Sequence, residues 1–431
     1  MAKRSWYRWG TFPFRFDGRL LYAGKSLLDL PEKEAHVLRL LLEAVPHDVS
    51  KEELRQQVFG PRADRGSVDS AVCRLRAILE RPSGKENRRK TYVKTVPGRG
   101  YAFVHEFNVV FEPSAHSVAE CKVGRAYWNE RERGALWKAK ECFDQALQRD
   151  RGFPGAHAAL ADCYAILGSY WWISPKDGAA KAKAAVERAL EFDRTLAEPR
   201  ATRGFVRSLF ERRWSAAEAE FEHVVEHAPD YGVGHHWYAL YLSAKNQLGP
   251  AIEEIEEARQ CDANSRSIDV HAATIRYWDR NYDAAEQACE RAIQFHPDFW
   301  YARYQLGLVH EARGRFEKAV ETLEKASECL SDSSTMLTAA LARARALAGD
   351  REAAAHALEA LRNPTTGRGS AFFHLATARA ALGDQDGAFS ALNDAIDAHD
   401  VWVAFLAVDP RVDALRPDPR FAAALKRLNL A

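Results

Sequence analysis

The chain has 431 residues, 47% of them hydrophobic and 28% charged, with 25 Gly and 17 Pro. That is globular composition with length for two or three domains, and it excludes collagen-like, disordered and disulfide-scaffold chains. The formal net charge of +1 hides a split: residues 1–107 hold 21 Lys and Arg against 13 Asp and Glu, a net +8, and residues 108–431 hold 40 against 47, a net −7. A small basic segment joined to a larger acidic one fits a nucleic-acid reader fused to an interaction or sensing module, because neutralising phosphates takes Lys and Arg. No apolar run of about 18 residues occurs, and Met1 to Trp6 carries no signal-peptide pattern, so a soluble cytoplasmic protein is expected, with no membrane contact. Seven scattered Cys form no Cys-x-x-Cys pair, which suits neither a zinc site nor a disulfide framework; they are expected as small buried residues.

In chain order, residues 12–30 alternate apolar and polar (Phe12, Phe14, Phe16, Leu20, Tyr22) around turns at Asp17-Gly18 and Ala23-Gly24, which predicts a short antiparallel meander. Pro31-Glu32-Lys33-Glu34 opens a first helix as an N1 proline with first-turn acids, and Val37, Leu38, Leu41 and Leu42 form its apolar face. Ser50-Lys51-Glu52-Glu53 is a capping box opening a second helix. A third begins near Ser67, with Val68, Val72, Leu75 and Leu79 on one face and Ser70, Arg74 and Arg76 on the other. A basic loop, Arg81 to Lys90, leads to strands at 91–96 and 100–104 joined through Pro97-Gly98-Arg99, a hairpin with a cationic tip.

Meander, three helices and hairpin, with Leu30-Pro31-Glu32-Lys33-Glu34, Val68-Asp69-Ser70, Arg74-Leu75-Arg76 and Gly98-Arg99-Gly100-Tyr101-Ala102-Phe103, resemble the OmpR/PhoB-type winged-helix DNA-binding domain over roughly residues 10–106. The resemblance implies that the third helix enters the major groove of double-stranded DNA, that the hairpin touches the minor groove or backbone, and that the Phe59–Gly66 loop contacts RNA polymerase. On the matching positions, Arg74 and Arg76 would reach guanine or phosphate, Ser70 would face a base and Thr95 a phosphate, with Arg65, Ser67, Lys94 and Arg99 around them. Ala71, Cys73 and Pro97 depart from the larger or basic residues common at those positions. The segment begins near residue 10, so regulation by phosphorelay through a preceding phosphoacceptor domain is not expected.

From about residue 117 the strand signals stop. Small residues recur at Ala139, Ala182, Ala217, Ala251, Ala285, Ala319, Ala354 and Ala388, at intervals of 34 or 35 after a first one of 43. A mostly apolar residue follows each four positions later (Phe143, Val186, Phe221, Ile255). This period resembles tetratricopeptide repeats: about eight helical hairpins with a C-terminal cap. The long first interval marks an insertion around Tyr170-Trp171-Trp172. Such arrays bind peptides, proteins or copies of themselves, and Trp171, Trp172, His235, Tyr238, Arg276, Tyr277, Arg303 and Tyr304 are the candidate partner contacts. His235-His236 lacks a third ligand, so no metal site is read there. No GxxxxGK[ST], HExxH or GxSxG motif is present, so neither an enzyme nor a cofactor is expected.

The fold class expected is an α+β winged helix-turn-helix domain at residues 1–107 followed by an all-α tetratricopeptide superhelix at 117–431. The function expected is a one-component transcriptional regulator whose repeats bind a protein partner, a second copy or an effector. The alternative is a protein-interaction scaffold whose winged helix no longer reads DNA.

Overall fold

In the computed structural model, residues 5–9, 14–16, 19–23, 26–45, 47–64, 66–79, 91–104, 107–111, 113–330, 334–362 and 372–430 are described. Phe12, the Asp17-Gly18 turn, Gly24, Arg65 and the Arg81–Lys90 loop lie outside them. The chain divides into two compact units, chiefly residues 1–115 and 116–431.

In the first unit, β1 (Ser5–Trp9), β2 (Phe14–Phe16), β3 (Leu21–Ala23) and β4 (Ser26–Leu28) are followed by α1 (Glu32–Glu43), β5 (Val49–Ser50), α2 (Lys51–Leu54) and α3 (Gly66–Leu79). Then come β6 (Val93–Val96), β7 (Gly100–Phe103) and β8 (Phe107–Phe111). A five-stranded antiparallel sheet runs β4-β3-β2-β1-β8 and a three-stranded one β5-β7-β6. The expected meander is present as β2–β4, while β1 and β8, paired Ser5 opposite Phe111, extend it beyond the reading. Pro31 stands just before α1 in extended conformation rather than inside its first turn. Ser50 caps α2 as the capping box requires, its hydroxyl accepting from the Glu53 N–H at 3.0 Å. The predicted apolar faces of α1 and α3 are buried together with Phe14, Phe16, Leu21, Tyr101 and Phe103. That core fixes α3 against α1 and the β6–β7 hairpin.

The second unit is helical, with eight hairpins among the described residues: α4 (Ala115–Glu130) with α5 (Arg133–Arg149), α6 (Pro154–Ser169) with α7 (Pro175–Phe192), α8 (Glu198–Phe205) with α9 (Trp214–His227), and α10 (Gly232–Ala244) with α11 (Leu248–Cys261). The series continues as α12 (Arg266–Trp278) with α13 (Tyr282–Phe295), α14 (Trp300–Ala312) with α15 (Phe316–Glu328), α16 (Thr335–Leu347) with α17 (Arg351–Arg362), and α18 (Phe372–Ala381) with α19 (Gln385–Asp397). All eight period-marking alanines lie buried on the second helix of a hairpin. Small side chains there let the first helix approach closely. The turn inside each hairpin repeats a left-handed residue, at Arg131, Trp171, Arg212, Asn246, Arg280, Gly314, Gly349 and Gly383, with φ from 55° to 97°. The tail is a pair of 3₁₀ turns, Val401–Phe405 and Pro410–Leu415, then α20 (Pro419–Arg427). Each Asp-Pro-Arg in it is self-capped: Asp409 and Asp418 accept from the backbone N–H and the guanidinium of Arg411 and Arg420.

The tail runs back along the repeats. Trp214 Nε1 donates to Leu428 O at 2.9 Å, Phe405 stacks on Trp278 at 4.4 Å, and Arg411 reaches Tyr304 Oη at 2.9 Å. No helix among the described residues is long and apolar enough to cross a membrane. Of the cysteines, Cys163 and Cys289 are buried as expected, whereas Cys73 and Cys261 are exposed because they fall on outward faces of α3 and α11.

Candidate nucleic-acid interface

Burial of Val68, Ala71, Val72, Leu75 and Leu79 turns the opposite face of α3 outward, exposing Ser70, Cys73, Arg74 and Ala77, with Ser67 half-buried at its start. Beside it, the β6–β7 hairpin displays Lys94, Thr95 and Arg99. At its base Gly100 allows β5 and β7 to approach, since a Cβ there would lie 2.0 Å from Val49 O. The structure therefore brings Ser70, Arg74, Lys94, Thr95 and Arg99 to the α3 face and the hairpin beside it.

The two arginines differ. Arg74 donates through Nε to Glu34 Oε1 at 2.6 Å; the Glu34 side chain is 2% exposed and the Arg74 side chain 57%. The pair ties α3 to α1 while leaving the rest of the guanidinium outward. Arg76 is drawn inward: Nε donates to Val93 O at 2.8 Å, Nη2 to Thr95 Oγ1 at 2.9 Å, and its Cζ lies 5.6 Å from the Tyr101 ring centroid. One turn beyond Val72, residue 76 sits on the flank of α3 that adjoins the hairpin. Arg99 Nη1 approaches Asp48 at 3.5 Å.

A cluster that the sequence reading passed over completes the face. Lys51 Nζ lies 2.7 Å from Asp69 Oδ1, and Tyr101 Oη donates to the same carboxylate. The Lys51 ammonium, then the Tyr101 hydroxyl, hold the Asp69 carboxyl below its ordinary range. An acid next to Ser70 would otherwise repel phosphate; here its charge is matched. The sequence signal for it was Asp69 beside the buried Val68 and Val72 stripe, at its exposed edge. The Phe59–Gly66 loop is braced by Arg55 Nη1, which donates to Ala63 O at 3.2 Å.

The candidate partner contacts on the repeats are largely engaged within the chain. His235 is buried between Glu254 and Pro229 O, Tyr277 is buried, and Tyr304 is buried against Arg411 and His374. Arg276 pairs with Glu256, Arg303 donates to Pro297 O, and Tyr238 stacks on Phe221. Trp171 packs on Phe372, and Trp172 stacks on Tyr170 at 4.9 Å. No group of His, Cys, Asp or Glu among the described residues could hold a metal ion.

This geometry is that of a winged helix-turn-helix domain of the OmpR/PhoB type, carried with a tetratricopeptide array. Residues 24–103 match the family described as transcriptional regulatory protein, C terminal, and residues 279–344 match a tetratricopeptide repeat. The chain is similar to the transcriptional regulator HilA of Salmonella typhimurium, with 34% identity over 113 residues, 25% of this chain and 19% of HilA. It is also similar to the human mitochondrial import receptor subunit TOM70, 26% identical over 112 residues, 26% of this chain and 18% of that protein. These matches span about a fifth of the relatives' length. Among solved structures, yeast Tom70 aligns over 73% of this chain and 68% of its own, with 15% identity and a TM-score of 0.43.

Proposed function

We propose that this chain is a transcription regulator that binds duplex DNA through α3 and the hairpin, with the repeat array as its input module. The observation carrying this reading is the exposed α3 face with a half-free Arg74, flanked by a hairpin presenting Lys94 and Arg99. Arg74 and Ser70 read bases in the major groove, Ser67 and Arg65 contact the backbone at the helix start, and Lys94, Thr95 and Arg99 grip the adjacent phosphates. Arg76 acts by holding Thr95 and the hairpin in place. The Phe59–Gly66 loop is the polymerase contact. The tail already occupies much of the repeats' first-helix surface, so a protein partner or second copy docks elsewhere on the array.

The test is selection of bound fragments from a random duplex pool by the full chain and its variants. Arg74→Ala alone would leave the buried Glu34 carboxylate without its cation, so the variant is Glu34→Gln/Arg74→Ala. It loses about 1–3 kcal/mol of discrimination at one base position. Arg99→Ala instead weakens all sequences alike and lowers the salt slope by about 1. No enriched motif with the unaltered chain would favour the scaffold reading, in which Arg76 and Pro97 mark a domain turned to protein contacts.

A further inference from the structure

Within the repeat unit, the first helices of four repeats, Arg131 at the end of a fifth first helix, and the tail line a pocket that is partly open to solvent. Its walls are apolar and mostly aromatic, chiefly Phe205, Trp237, Leu240, Trp278, Trp402 and Phe405, and no carboxylate lines it. Its polar lining includes Arg131, His236 and His271.

Arg131 is 3% exposed and stands at the end of α4 with φ 55°, its guanidinium 3.4 Å from the Trp128 ring centroid. Its Nε and Nη1 have no hydrogen-bond partner. The nearest buried acid, Asp162, is already matched, accepting from Arg125 Nη1 and Thr202 Oγ1. Burial lowers the Arg131 pKa to about 10, which leaves the group charged at neutral pH. The other buried arginine of the unit shows the contrast: Arg411 is chelated by its own Asp409 at 2.6 Å.

The histidines add a second donor. His271 Nδ1 lies 2.8 Å from Ser267 O and 3.0 Å from His236 Nε2. A carbonyl can only accept, so the His271 Nδ1 proton is shared with Ser267 O, and His236 Nε2 faces it as acceptor. Burial keeps both rings neutral, with His271 lowered to about 4, so His236 carries its proton on Nδ1. That buried Nδ1 has no partner either. The unmatched polar atoms of the lining, Arg131 Nε and Nη1 and His236 Nδ1, are thus all donors, two of them on an unneutralised cation. A buried cation without a counter-charge costs several kcal/mol, and a bound anion removes that cost.

We propose that this cavity is an effector site for a small organic carboxylate with an apolar body, the carboxylate held by Arg131 and His236 and the body between the aromatic walls. The proposal extends the reading of the array as an input module. Val401, Trp402 and Phe405 of the tail form one wall, so occupancy is linked to the seating of the tail.

The experiment is calorimetric titration of the full chain, with thermal shift beside it, using benzoate and hexanoate as probes, benzamide as the uncharged isostere and inorganic phosphate as charge alone. At least one carboxylate should bind ten or more times tighter than benzamide and than phosphate, roughly 1.4 kcal/mol apart. Arg131→Gln should lose that affinity while the ligand-free chain melts no lower than before, because an uncompensated charge has left the interior. Leu240→Trp should block the cavity with Arg131 intact. Equal binding of benzoate and benzamide, phosphate as tight as benzoate, no carboxylate bound at about 10 mM, or unchanged binding in both variants would each overturn the proposal. Should both variants fail to fold, the benzoate–benzamide contrast in the unaltered chain decides alone. Binding is read directly, so the result is independent of whether the winged helix binds DNA.

Discussion

At the residue scale, the inserted aromatics show how a feature that reads as an interaction anchor in sequence becomes packing. Trp172 lies on Tyr170, which meets Tyr301 edge-on at 6.3 Å. Trp172→Ala is therefore expected to destabilise the array by about 2 kcal/mol, a half-buried share of the usual cost of losing a large aromatic. Denaturant titration checks it; an unchanged midpoint with weakened self-association would restore the partner role. Four imidazoles act together on pH dependence. Burial lowers His236 and His374 well below 6.5, and His271 and His310 to about 4. A pKa depressed in the folded state means that the unfolded chain binds more protons between the two values, so stability present above 6.5 is lost as pH falls. His271 alone withdraws about 2 kcal/mol between pH 6.5 and about 5. Asp400 opposes this: burial raises it to about 6, so its contribution is full below 3.8 and lost as pH rises through 6. His235, raised by its hydrogen bond to Glu254, and Asp162, raised by burial, act with Asp400, while His36, His223 and His296, lowered by burial, act with the four imidazoles. With seven groups against three, the melting temperature should fall from pH 7 to 5, and a flat profile would contradict the burial of these rings.

At the element scale, legibility in the sequence tracks how local the cause is. The apolar positions of α1 and α3 and the buried alanines of eight second helices follow from periods of 3.6 and 34 residues, and the Ser50 cap from a four-residue motif, so the sequence displays them directly. Strand β8 escaped because it pairs with β1 about a hundred residues away, as in Trp6 opposite Val110, whereas β1 also pairs locally with β2. The exposed positions of α3 were legible as a helix face, but which arginine stays outward was not, since that depends on Glu34, forty positions from Arg74, and on the carbonyl of Val93. The hairpin turns carry no single residue signature, because the left-handed geometry that Gly314, Gly349 and Gly383 adopt is imposed at Arg212, Asn246 and Arg280 on residues with a side chain. This yields a clean test. Gly314 has φ 71° and open space where a Cβ would stand, so Gly314→Ala measures backbone strain alone. It should cost about 1 kcal/mol, read from the unfolding midpoint.

At the scale of the whole repeat unit, the tail changes how an array should behave. Repeats that touch only their neighbours unfold from the ends, their stability a sum of local terms. Here contacts join positions far apart in the chain: Trp214 with Leu428, Arg280 with Asp413, Tyr304 with Arg411. The Arg411 guanidinium is the centre of this closure, buried with Asp409 and bonded to Tyr304 Oη at 2.9 Å and to His374 Nδ1 at 3.1 Å. Removing the arginine alone strands a buried carboxylate, so Arg411→Met should cost about 3–5 kcal/mol, whereas Arg411→Met/Asp409→Leu should recover most of it. The coupling has a further signature in the shape of the transition. With the tail seated, the middle and terminal repeats share contacts and should melt in one calorimetric step. With Arg411→Met, the tail detaches first and the transition should split, its lower-temperature part belonging to the repeats around α14 and α18. A single transition in both proteins would mean that the repeats are coupled through their neighbours alone.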